Sequence, residues 1–322
     1  MRVAICIGTF HRLDLLRRLL AGVSRLTFRR NPAPEIEVII VDNDPLGSAL
    51  EICRSSDLRC PLKYVIEPCR GIANIRNRAV REAGVVDFLA FIDDDEIPTA
   101  EWLDELLWTQ SEYQAGIVAG PVKPEFSAGV PEWIKRGGFF DRSEFRTGTL
   151  LAECRTGNAL IASEVFTSVP GFDCRFQFTG GEDSQFFLRA RQAGFTMVWS
   201  QEASVREAVS LDRANLRWIL HRGFQIGNSW VLCERSLDGW PRVRLTRFVK
   251  ASGHLLLGAA SAPVSLFRGR VPFAKSLREA CLGAGMLAGL FGYQYLAYES
   301  AGTAPVKPAV PSLNPGNSDG GA

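Results

Sequence analysis

Between residues 3 and 92, short apolar runs alternate with segments of helical spacing, and this alternation constrains the fold more than any other feature. Val3 to Thr9 reads as a strand, and a helix from about Arg12 to Arg25 follows with Leu13, Leu16, Leu19, Leu20 and Val23 on one face. Glu37 to Val41 is a second strand, stopped by Asp42-Asn43-Asp44; a helix near Ser48 to Arg54 and an extended Lys63 to Glu67 come next. Ile72 to Ala83, carrying Arg76, Arg78 and Arg81, predicts a helix that leads into a strand at Phe88 to Ile92. A βαβαβαβ series of this kind predicts an α/β fold with a mainly parallel sheet, whose ligand sits at the carboxyl ends of the strands.

That rule brings Thr9, Asp42 and the acids after Ile92 to one crevice. Asp93-Asp94-Asp95-Glu96 are four adjacent carboxylates, which repel by roughly 1 kcal/mol per pair at 4 Å even in water. A cation must offset them. Hard oxygen ligands suit Mg²⁺ or Mn²⁺, and Mg²⁺ is commonly held by one or two carboxylates together with substrate phosphates. The plainer alternative is an acidic turn capping a helix over Thr99 to Ser111. Neither a GxGxxG fingerprint nor a P-loop occurs, so a metal at the acidic strand end is left to hold the phosphate.

With 322 residues and 46% hydrophobic content the chain can bury a large core. Eight cysteines form no CxxC pair and no signal-peptide pattern opens at Met1, so they read as small hydrophobes of a reducing cytosol. Three histidines give no support to a His-rich metal centre or a Ser-His-Asp hydrolase. Charge is polarised: residues 213 to 278 hold twelve Lys/Arg against Glu234 and Asp238, within a chain of net charge +2. Beside this basic stretch lie two uncharged segments, Ala251 to Phe267 and Ala280 to Tyr298, which makes an anionic membrane surface the favoured partner over nucleic acid. Both are short of a confident span and are interrupted by glycine and proline, and a basic connector between them opposes translocation. The expectation is a helical pair lying in the cytoplasmic leaflet, the alternative a hairpin buried on the main domain. From Thr303 onward the composition predicts a disordered tail.

Further along, Gly180-Gly181-Glu182-Asp183 opens a predicted helix over about Ser184 to Ala193. Phe176, Phe178, Phe186 and Phe187 suggest an apolar setting that would raise the Asp183 pKa, while the helix dipole opposes the rise. The segment Pro121 to Arg155, with Trp133 and Phe139-Phe140, reads either as a lid that stacks on sugar rings or as core filler. Asn158 either orients a sugar or satisfies a buried backbone group.

Taken in order, Ile7-Gly8-Thr9-Phe10-His11-Arg12, Val41-Asp42-Asn43, Arg70 to Ala79, Asp93-x-Asp95, Thr156-Gly157-Asn158 and Gly181-Glu182-Asp183 resemble the family 2 glycosyltransferases of GT-A fold. Phe91-Ile92-Asp93-Asp94-Asp95-Glu96 and Gly180-Gly181-Glu182-Asp183-x-x-Phe186-Phe187-Leu188-Arg189 look especially like bacterial exopolysaccharide transferases of the succinoglycan glucosyltransferase kind. The resemblance covers about residues 1 to 235 and implies a GT-A Rossmann-like sheet flanked by helices. A basic, apolar helical region over 236–300 that associates with membrane and a tail over 301–322 would follow.

Carried over residue by residue, the resemblance puts Thr9 and Asp42 at uridine, Asp93 near the ribose, and Asp95 with Asp93 at the metal that bridges the diphosphate. Arg76, Asp94, Asn158 and Glu182 complete the nucleotide-sugar site, and Asp183 falls at the catalytic base. The family's processive members carry Gln-x-x-Arg-Trp where this chain has Asn215-Leu216-Arg217-Trp218, which implies single additions. Arg213, Arg217 and Arg222 are candidates for a diphosphate, and Glu207 for a further metal or acceptor contact. The expected function is inverting transfer of a hexose, glucose from UDP-glucose, to a lipid-linked oligosaccharide of exopolysaccharide assembly at the cytoplasmic face of the bacterial inner membrane. A nucleotidyltransferase, or a non-catalytic sugar-binding protein on the same fold, are the alternatives; the oligomeric state is left open.

Overall fold

The computed structural model describes residues 1–237 and 240–297. The N-terminal alternation forms β1 (Arg2–Thr9), α1 (Leu13–Val23), β2 (Glu35–Asp42), α2 (Leu50–Arg54), β3 (Leu62–Ile66), α3 (Ile72–Ala83) and β4 (Phe88–Ile92). After the acids come β5 (Glu96–Pro98), α4 (Trp102–Tyr113), β6 (Ile117–Ala119), β7 (Val122–Phe126) and the single turn α5 (Glu132–Lys135). The chain continues through β8 (Asn158–Ala162), α6 (Ser163–Ser168), α7 (Glu182–Gln192), β9 (Met197–Trp199) and β10 (Val205–Val209). It closes with α8 (Leu216–Arg235), α9 (Trp240–Arg268) and α10 (Arg270–Leu290).

The main sheet has seven strands in the order β3-β2-β1-β4-β8-β6-β9, and β8 alone runs against the rest. Side chains alternate across a strand, so β1 sends Val3, Ile5 and Ile7 to one apolar layer and Ala4 and Cys6 to the other. The first layer packs α1 and α4 through Leu16, Leu19, Trp102 and Leu106; the second packs α3 and α7 through Ala79, Phe186 and Phe187. Each fully buried aromatic or aliphatic side chain in these layers contributes about 1.5–3 kcal/mol relative to exposure. The helix read over Thr99 to Ser111 starts later, at Trp102. Glu96–Pro98 instead forms β5, the edge of a second sheet ordered β5-β10-β7, so the acids do not cap a helix.

At the C-terminal end α10 lies between α8 and α9, touching both along its length. The boundary expected at 235/236 coincides with the end of α8, yet α8 is also one wall of this helical layer. Among the described residues no helix is long and apolar enough to cross a membrane. The tail expected over 301–322 lies outside the described residues.

Candidate active site

β1 and β4 are neighbours in parallel, which sets Thr9 beside the acidic strand end. Thr9 Oγ1 donates to Asp94 Oδ2 at 2.9 Å, and Arg12 Nη1 donates to Asp94 Oδ1 at 2.9 Å and to Asp95 Oδ2 at 3.1 Å. From the far side Arg213 Nη1 reaches Asp95 Oδ2 at 3.2 Å while its Nη2 donates to Glu207 Oε1 at 2.6 Å; Arg142 takes the other Glu207 oxygen at 2.6 Å. Guanidinium groups of the chain itself therefore offset much of the repulsion among the acids. Burial still pushes the Asp95 carboxyl up to about 6 against the pull of Arg12. Glu207 is held below the usual carboxylate range, because Arg142 and Arg213 together outweigh its burial.

Asp93 behaves differently. Its side chain is 44% exposed, against 6% for Asp94 and 10% for Asp95. Its Oδ1 accepts from Arg76 Nη2 at 3.3 Å, and the other arm of Arg76 pairs with Glu182 in a buried, closely approached ion pair. Burial pushes the Glu182 carboxyl up and Arg76 pulls it back. Next to it Asp183, the second residue of α7, is half-buried, and its Oδ1 accepts from the Ser184 N–H at 2.7 Å. Gly181 makes this entry possible. It has φ +94°, and a Cβ there would come within 2.8 Å of Cys233 Sγ on α8.

These groups line one cleft of about 130 Å³, whose walls include Arg76, Asp93, Arg142, Arg155, Asp183 and Arg222. Arg155 and Asp183 attract one another across it. Among the described residues no three His, Cys, Asp or Glu side chains are arranged to hold an ion unaided. A divalent cation that takes phosphate oxygens as well needs only one or two carboxylates, and Asp93 and Asp95 are the pair that would hold it. Space is reserved beside Asp93: a Cβ at Gly157 would meet Glu96 Oε1 at 2.7 Å and Asp93 Oδ2 at 3.3 Å. Glu96 Oε1 and Glu182 Oε2 are both buried without a hydrogen-bond partner.

Two expected contacts are corrected. Asp42 is fully buried and accepts from the Asp44 N–H at 2.9 Å, the Ala49 N–H at 2.9 Å and the Tyr64 hydroxyl at 2.7 Å; it braces the loop after β2 instead of facing the cleft. Asn158 is likewise buried, donating to the carbonyls of Pro121 and Ala203 at 3.1 and 2.7 Å and accepting from Trp102 Nε1 at 2.7 Å. Its amide ties strands together, as the second sequence reading had it. The phenylalanines after Asp183 do not supply the apolar setting expected for it. Phe186 and Phe187 point into the core, and arginines share the cleft with the carboxylate. Trp133, Phe139 and Phe140 form a small apolar cluster with Ile134, Trp218 and Ile219, which favours the core-filler reading of that segment. Of the three candidate arginines on 213–222, Arg213 holds acids, Arg222 lines the cleft and Arg217 is exposed.

Arg12, Arg142 and Arg155 were not singled out as site residues by sequence, and Glu96 only as the last of the four adjacent acids. Arg12 follows a strand end and carried the same positional signal as Thr9. Arg142 and Arg155 sit in an aperiodic stretch, where no spacing marks them.

The profile of glycosyl transferase family 2 matches residues 4–169. The chain is 32% identical to the succinoglycan biosynthesis protein ExoM of Rhizobium meliloti over 80% of this chain and 83% of that one. It is 26% identical to the glucosyl-dolichyl phosphate glucuronosyltransferase of Haloferax volcanii, over 70% and 75% of the two chains. Among solved structures, the mannosyltransferase PcManGT of Pyrobaculum calidifontis, in complex with GDP-Man and Mn²⁺, aligns with a TM-score of 0.59 at 18% identity, covering 90% of this chain and 87% of that one. TarS 1–349 of S. aureus aligns with a TM-score of 0.51 at 15% identity, covering 92% and 93%.

Proposed function

Because the chain belongs to glycosyl transferase family 2, we propose that this glycosyltransferase moves a hexose, glucose from UDP-glucose, to a lipid-linked oligosaccharide in exopolysaccharide assembly, with inversion and one sugar at a time. The observation that carries the reading is a single cleft lined by both Asp93 of the acidic strand end and Asp183 at the start of α7. Donor phosphates and an acceptor hydroxyl have to meet in such a space. Mg²⁺ or Mn²⁺ on Asp93 and Asp95, when bound, supplies charge to the departing diphosphate. Arg76 fixes Asp93 and Glu182 relative to each other, while Arg142 and Arg222 present positive charge to the phosphates. Asp183 takes the proton of the acceptor hydroxyl as it attacks the anomeric carbon, and one displacement turns an α-linked donor into a β-linked product.

Exopolysaccharide as the pathway rests on the Rhizobium relative, and a lipid-linked acceptor on the dolichyl phosphate named for the archaeal one. Single addition rests on the missing Gln of the processive members' pattern: with Arg217-Trp218 matched, Ala214 stands in its place. Family membership removes the nucleotidyltransferase alternative.

The test is nucleotide release by the full-length protein with a lipid-linked saccharide acceptor. Donors should include UDP-glucose, a glucuronosyl donor and GDP-mannose, with Mg²⁺ or Mn²⁺. Release from UDP-glucose, lost with EDTA and in Asp95→Ala, is the expected result; release from another donor corrects the sugar. For Asp183→Asn the expectation is turnover lower by about 10²–10⁴-fold with nucleotide binding intact. Unchanged turnover there would remove Asp183 as the base, and binding without turnover in the wild type under every donor would leave the sugar-binding alternative.

A further inference from the structure

α9 carries Arg242, Arg244, Arg247, Lys250 and Arg268 and not one acidic residue. Its inner side is packed on α10, with Ala251, Gly258, Ala262 and Ser265 buried. The opposite side is apolar and open: Leu245, Phe248, Val249, Leu256, Val264 and Phe267 are between 48% and 90% exposed. At about 1.5 Å per residue this stripe runs about 33 Å along the helix. At 100° per residue the six side chains fall within a face of about 160°. Contiguous exposed apolar surface of this extent marks an interaction site.

We propose that this face of α9 is a docking surface for an anionic lipid bilayer, on which the helix lies in the plane of the interface. Charge selects the occupant. Exposed Arg244, Lys250, Arg268, Arg270 and Lys275 stand along and beside the face. Among the described residues, the acids that reach α9 from its neighbours are engaged there, Glu234 of α8 with Arg247 and Glu279 of α10 with His254. A second copy of the chain would bring an equally acid-free helix against this one, whereas anionic headgroups complement it. α10 is the one helix between this face and α8, which lines the catalytic cleft, so docking here would bring that cleft close to lipid-borne acceptors. The inference rests on α9 and the basic residues beside it and not on donor chemistry, so its failure would leave the transfer reading standing.

The experiment is co-sedimentation of the full-length protein with phosphatidylcholine vesicles, with and without phosphatidylglycerol, alongside light scattering in their absence. Leu256→Glu/Phe267→Glu changes only exposed positions, and thermal unfolding checks that it folds. Lys250→Glu is a second, single-charge variant. We expect the wild type to bind phosphatidylglycerol vesicles, the double variant to bind about tenfold more weakly or worse, and Lys250→Glu to lose part of the anionic preference. Equal binding by wild type and double variant, or no binding by either, would overturn the proposal. A wild-type dimer that the double substitution dissociates would also overturn it and assign the face to a second copy.

Discussion

Asp93, Asp94 and Asp95 are adjacent in the chain, yet the fold gives them different work: Asp94 and Asp95 are locked onto Arg12 while Asp93 looks into the cleft. Glu96 is the extreme case. It is buried opposite Glu207 across β5 and β10, one oxygen accepting the Asp93 N–H and the other unpartnered. Burial, then the charge of Asp93, pushes its carboxyl well above the usual range. The folded state therefore keeps this proton where the unfolded chain has lost it. Its contribution to stability is full at acid pH and is lost as pH rises through the folded pKa. Glu96→Gln keeps the shape and an acceptor for Asp93, and should raise the melting temperature more at pH 8 than at pH 5. Thermal unfolding of both proteins at the two pH values checks this, and an equal shift at both would refute it. That Arg76, Asp93, Glu182 and Asp183 come together was legible because strand ends and helix starts are visible in a sequence, whereas Thr9 is buried on Asp94 and does not line the cleft. Asp42 and Asn158 were misplaced because their partners, Tyr64, Ala49, Trp102 and Ala203, come from other elements.

At the scale of elements, long periodic segments were read most faithfully. α3 and β4 have the bounds that apolar spacing predicts, since Ala73, Arg76, Ala79 and Ala83 form one buried face and Leu89 to Ile92 are buried throughout. The second sheet was not legible. Glu-Ile-Pro in β5 has too little alternation to announce a strand, and its pairing with β10 spans about a hundred residues. The start of α8 gives Asn215 a structural role. Asn215 is its N-cap, accepting the Trp218 N–H at 2.9 Å, while the Trp218 ring stacks on Phe140 at 5.1 Å and Arg213 sits over it at 5.1 Å. Asn215→Ala should cost about 1 kcal/mol through loss of the cap. A lower urea midpoint with an unchanged slope is the expected reading; an unchanged midpoint would show that tertiary packing alone holds this helix end.

For the whole molecule, the question is whether the C-terminal helices are an appendage or a wall of the active site. α8 supplies Arg222, Gln225 and Ser229 to the cleft on one side and meets α10 on the other. The contact is backbone on backbone: a Cβ at Gly285 would stand 2.0 Å from the Phe224 carbonyl oxygen, and one at Gly227 would stand 2.1 Å from that of Leu282. No rotamer change relieves such an overlap, so Gly285→Leu must push α10 away from α8 and disturb the residues α8 offers to the cleft. Overpacking of this kind costs typically about 1–3 kcal/mol. Gly253 of α9 is the control, because a Cβ there meets nothing within 4 Å. Gly253→Ala removes a flexible residue from a helix and should stabilise by about 0.5–1 kcal/mol with nucleotide release unchanged. If the helices are a wall, Gly285→Leu lowers both the melting temperature and the rate of nucleotide release. A variant that melts lower but releases nucleotide at the wild-type rate would instead make the three-helix layer an appendage whose packing does not reach Arg222.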